Sequence, residues 1–152
     1  MNIKRYFNNG VCAQVSQQHN TRKIITVAIE LIPRESDNND YENKILVQLK
    51  ESEVSVLLET LLLYREEMSI GNHGSNNDKM LTVRNQNNGL FIFMREGRKE
   101  TQLTFVIDED ARFELLTLVA DVVAKRDKIS VKDVLDLLRA LSSRRAQLNI
   151  NR

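Results

Sequence analysis

KILVQLKESEVSVLLETLLL (Lys44 to Leu63) changes its hydrophobic period part-way along, and that change decides the fold class. Up to Leu49, the residues Ile45, Val47 and Leu49 alternate with Lys44, Leu46 and Gln48, the two-residue period of a half-buried strand. From Glu51 the apolar positions become Val54, Leu57, Leu58, Leu61, Leu62 and Tyr64, with glutamates opposite. That is the spacing of an amphipathic helix, and it predicts one from Glu51 to Met68. A strand thus runs directly into a helix with an acidic start.

The same succession recurs in TQLTFVIDEDARFELLTLV (Thr101 to Val119). A shift of 58 lays Ile45, Val47 and Leu49 on Leu103, Phe105 and Ile107, and Glu51 on Glu109. Leu57, Leu58 and Leu61 then fall on Leu115, Leu116 and Val119, the pattern expected of a duplicated unit. Upstream strands are predicted at Val11 to Ser16 and Ile24 to Ile32 in the first half. The second half offers Met80 to Asn85 and Leu90 to Arg95, and its helix covers Glu109 to Lys125. Asparagine-rich breaks at Asn8-Asn9-Gly10, Gln17 to Thr21, Pro33 to Asn43 and Asn87-Asn88-Gly89 mark turns. Ser69 to Asp78 has no apolar period and reads as the midpoint linker. Asn2 to Asn8 is a candidate fourth strand for the first half only.

A further helix is expected from Val131 to Gln147. Ser130 with Asp133 forms a weak capping box, and Val131, Val134, Leu135, Leu138 and Leu141 make one stripe. The expected fold class is α+β: two strand-strand-strand-helix repeats with antiparallel sheets, plus a C-terminal helix. The expected organisation is one domain over 1–152, with pseudo-repeats 11–68 and 79–125 and a helix at 130–147.

Composition, 41% hydrophobic and 28% charged, is that of a globular chain. No apolar run reaches the roughly 18 residues of a membrane helix, and no secretory leader is recognisable at the N-terminus. Lone Cys12 cannot form an internal disulfide, so a reducing, cytoplasmic setting is expected. The net charge of +1 conceals segregation by segment. Residues 1–34, 79–105 and 125–152 are basic, whereas 35–78 and 106–124 are acidic. Acidic helices on one side of a sheet would leave positive potential on the other.

Catalytic residue types are sparse, and a non-enzymatic role without a cofactor is expected. His19 and His73 both fall in polar stretches and read as solvated surface residues. Cys12 reads as a structural thiol, and neither it nor the histidines has the spacing of a zinc site. Asp108-Glu109-Asp110 suits a helix start.

The remaining signal is a surface. If Leu103, Phe105 and Ile107 face the helices, then Thr82, Arg84, Phe91, Phe93 and Arg95 face the other way, with Arg98 and Lys99 in the adjoining turn. Aromatic rings interleaved with guanidinium groups suit single-stranded nucleic acid, because rings stack on unpaired bases and cations follow phosphates. Arg22, Lys23 and Lys44 are the first-half cations grouped with them.

The two strand-into-helix passages, with the basic connection REGRKETQ (Arg95 to Gln102), resemble the Whirly proteins and their mitochondrial RNA-binding relatives. A single copy resembles the positive cofactor 4 family. The resemblance covers residues 11–125. It implies single-stranded DNA or RNA bound on a sheet face, with DNA favoured here, and a homo-oligomer assembled through helices, to which Val131 to Leu141 would contribute. A protein-interaction or assembly module is the alternative.

Overall fold

The structure is a computed structural model and describes residues 2–148. It is an α+β fold of two antiparallel sheets and three helices. In the first sheet β1 (Ile3–Phe7), β2 (Val11–His19) and β3 (Ile25–Glu35) are successive neighbours. The two-residue β4 (Asn38–Asn39) and β5 (Ile45–Gln48) both pair with β3. Helix α1 (Glu51–Leu61) follows. The second sheet runs β6 (Glu67–His73), β7 (Lys79–Gln86), β8 (Gly89–Glu96) and β9 (Thr101–Asp108) in chain order. Helices α2 (Arg112–Asp127) and α3 (Val131–Gln147) complete the fold.

The asparagine breaks work through their side chains. Asn8 Oδ1 accepts from the Gly10 and Val11 N–H groups at 2.8 and 2.7 Å, closing the β1–β2 turn. Asn20 Oδ1 does the same for Arg22 and Ile24 at 2.9 and 3.0 Å. Gly89 (φ 142°) is obligatory, since a Cβ there would lie 2.0 Å from the Ile107 carbonyl oxygen.

The inward faces of both sheets meet α1 and α2 in one core, with Val15, Ile29, Val83, Ile92 and Ile107 against Leu57, Leu61, Leu115 and Val119. The two helices are antiparallel. Arg112 Nη1 donates to the Leu61 carbonyl at 3.0 Å, and Arg126 Nη1 to that of Glu51 at 2.7 Å.

Three expectations need correction. Each half has four main strands rather than three: β1 is the candidate fourth strand at Asn2 to Asn8, and the unexpected β6 serves the second half. β6 occupies the stretch expected to be a linker. It is held by backbone pairing to β7, with only Met68 and His73 buried, so it shows no apolar period. The first helix stops at Leu61 instead of Met68, because Leu63 turns left-handed (φ 67°) and Tyr64 N–H closes back onto the Glu59 carbonyl at 2.9 Å. Finally, His73 is not a solvated loop residue. It is 7% exposed, with Nε2 within 3.0 Å of the Glu53 carboxylate.

α3 begins at the expected place, with Ser130 Oγ accepting from Asp133 N–H at 3.0 Å. It lies back along α2 and buries Val134, leaving Val131, Leu137 and Leu141 exposed. Among the described residues, no helix is long and apolar enough to cross a membrane.

Candidate nucleic-acid interface

Alternation along β7, β8 and β9 places two sets of side chains on opposite faces. Leu81 and Val83, Leu90, Ile92 and Met94, and Phe105 and Ile107 are buried against the core, with half-buried Leu103 packed on it. Facing away are Thr82 and Arg84, Phe91, Phe93 and Arg95, and Gln102, Thr104 and Val106. Pairing aligns them in rows across the sheet: Glu67–Arg84–Phe91–Val106, Ser69–Thr82–Phe93–Thr104, and Met80–Arg95–Gln102. Both phenylalanines sit on the inner strand β8 and are half-buried, each keeping part of its ring accessible.

The cations of this face differ in how they are engaged. Arg84 lies over the Phe91 ring at 5.7 Å and donates from Nε to Glu67 at 3.0 Å, so an incoming phosphate would compete with a carboxylate. Arg95 is exposed and has no hydrogen-bond or ion-pair partner among the described residues. In the β8–β9 turn, Arg98 donates from its backbone N–H to Asp78 Oδ2 at 2.6 Å and from Nη1 to Asn76 at 2.8 Å. The Lys99 side chain, beside it, has no such partner among the described residues, while its carbonyl accepts from Thr101 Oγ1 at 3.2 Å.

The other three expected residues are not gathered here. Arg22 binds Glu51 at 2.9 Å at the start of α1. Lys23 borders an open depression with His19, Lys125 and Arg126, at the end of α2. Lys44 is tied to Glu30 of the first sheet at 3.2 Å.

The first sheet has an outward face of its own. Arg34 stacks over Phe7 at 4.6 Å, a second cation–aromatic pair on an outward face. Burial alternates along β1 and turns Arg5 and Phe7 outward, whereas the sequence IKRYF has no apolar–polar alternation to show this face. Its cations, however, have partners. Arg5 donates to Gln14 at 2.7 Å, Gln14 to Glu30 at 3.2 Å, and Lys44 completes the ladder. Arg34 reaches the Asn8 carbonyl at 3.2 Å. Cys12 is fully buried on this face, and burial pushes its thiol pKa up, with Arg34 and Arg5 opposing. Cys12 and His19 share β2 seven residues apart, roughly 23 Å along a strand, so they do not form a pair. Among the described residues, no cluster of three His, Cys, Asp or Glu side chains could hold a metal ion.

No family model matches the chain, and neither a curated protein nor a solved structure does.

Proposed function

We propose that this chain binds single-stranded nucleic acid on the outward face of β6–β9, and that its two strand-then-helix halves are Whirly-like repeats. One observation carries the reading. Phe91 and Phe93 turn away from the core on an inner strand, between Arg84 and an Arg95 without a partner. Bases stacked on the rings would contribute about 1–3 kcal/mol each, and Arg95, Arg98 and Lys99 would follow the phosphates. The preference for DNA over RNA rests on the family resemblance alone. A homo-oligomer fits the same reading, with the exposed Leu137 and Leu141 of α3 at the contact.

A second reading, an assembly module without nucleic acid, has its own support. Phe113 at the start of α2 is 76% exposed, and Leu137 is 62% exposed. Titration of labelled oligo-dT, single-stranded RNA and duplex DNA at two salt concentrations separates the two. The nucleic-acid reading expects single strands to bind best, with a log–log salt slope of about −0.7 per phosphate contacted. No single-strand binding at low salt would leave the assembly module.

A further inference from the structure

At the end of the same face, where β6, β7 and β8 meet their turns, lies an open depression of about 460 Å³. Its wall is made by Gly71, Asn72, Asn77, Asp78, Met80, Arg95 and Gly97. Two features separate it from an ordinary surface dip.

The first is electrostatic. Arg95 and Asp78 border the same depression and make no ion pair with each other. Asp78 spends Oδ2 on the Arg98 N–H, while Oδ1 has no partner among the described residues. An unpartnered fork of donors and an unpartnered acceptor therefore border one small space.

The second is steric. Gly71 lies within β6 beside a register shift, yet neither it nor Gly97 has a left-handed φ. A Cβ on Gly71 would meet Met80 Cγ at 3.7 Å, and one on Gly97 would meet Asp78 Cβ at 3.7 Å, both ordinary contacts. Neither backbone demands glycine; Gly71 is inside a strand, where glycine marks a bulge or the close approach of a ligand, and Gly97 belongs to the β8–β9 turn. Asn72 (φ 58°) and Asn77 (φ 54°) add amides from left-handed positions on the rim.

We infer that this depression takes one unpaired guanine of the bound strand. Arginine donates two hydrogen bonds to guanine O6 and N7, and a carboxylate accepts from its N1–H and N2–H groups. Adenine offers a donor where Arg95 also donates, and the pyrimidines lack the paired acceptors. The Met80 side chain supplies an apolar wall for the ring.

The inference rests on the single-strand reading, so its test contains both. Anisotropy titrations would compare short oligo-dT with the same strand carrying one dG, dA or dC, for the wild type, Asp78→Asn and Gly71→Ala. Asp78→Asn keeps an oxygen for the Arg98 N–H, and Gly71→Ala keeps an ordinary backbone, so both are expected to melt like the wild type. The wild type should bind the dG strand roughly tenfold more tightly than oligo-dT. Both variants should lose that preference without losing affinity for oligo-dT. Equal affinity for all four strands, or a dG preference that survives both substitutions, overturns the guanine site while leaving the sheet face standing. No binding to any strand removes the reading beneath it as well.

Discussion

Arg145 of α3 donates from Nη1 to the Glu59 carboxylate of α1 at 2.8 Å. Glu59 is 5% exposed at its side chain and also receives Arg65 Nε at 2.7 Å. The pair ties the far end of α3 to the α1–α2 layer, and Val134 buries the near end. α3 is thus anchored to its own chain while Leu137 and Leu141 stay open.

Arg145→Ala should cost about 1–2 kcal/mol in urea unfolding. That is less than the loss of a whole buried pair, because Arg65 remains on Glu59. An unchanged midpoint would mean that the contact does not hold α3. Light scattering of the full chain, compared with one ending at Asp127, reads the assembly. The homo-oligomer proposal expects a larger species from the full chain, and a monodisperse monomer would contradict it.

Phe93 faces outward, so Phe93→Ala should lower stability by less than about 2 kcal/mol, against about 3–5 for a core phenylalanine. It should weaken single-strand binding by about 1–3 kcal/mol. Thermal melts and titrations on the same variant check both figures.

Leu63 is exposed with φ 67°, a conformation costing about 1–2 kcal/mol for a residue with a Cβ. Leu63→Gly removes that strain at the end of α1, offset by glycine's larger unfolded-state entropy. The expected net gain is about 0.5–1 kcal/mol in urea midpoint experiments.

Hydrogen bonds from Arg112 to Glu109, at 2.6 and 2.9 Å, hold that carboxyl below its usual range, while partial burial opposes them. A depressed folded-state pKa gives stability that is present above the unfolded value of about 4.3. It is lost as pH falls through the lower folded value. The stability gap between wild type and Glu109→Gln should therefore be constant near neutrality and shrink below about pH 4. A gap that persists at the lowest accessible pH would contradict this origin.

The strands and helices with strong periods were legible from sequence. Leu103, Phe105 and Ile107 do face the helices and Phe91 and Phe93 do face away, but LFIFM (Leu90 to Met94) is apolar throughout, so the face taken by the two phenylalanines was legible only as one of two registers. β6 was not legible, since an edge strand with Gly71 and Asn72 at a register shift is held by backbone pairing. The burial of His73 was hidden too, because its partner Glu53 lies on α1, far away in sequence. The loss of Lys44 and Arg22 from the interface was equally hidden. Their partners, Glu30 and Glu51, are distant in sequence, and charge segregation along the chain does not reveal pairing across it.

The most direct test of the central claim is a residue-resolved one: amide chemical shifts of the labelled protein during titration with oligo-dT. The sheet-face account predicts that the largest changes cluster at residues 82–84, 91–95 and 98–104, with the first sheet and α3 nearly silent. Changes confined to α3, or centred on β1–β3, would contradict it.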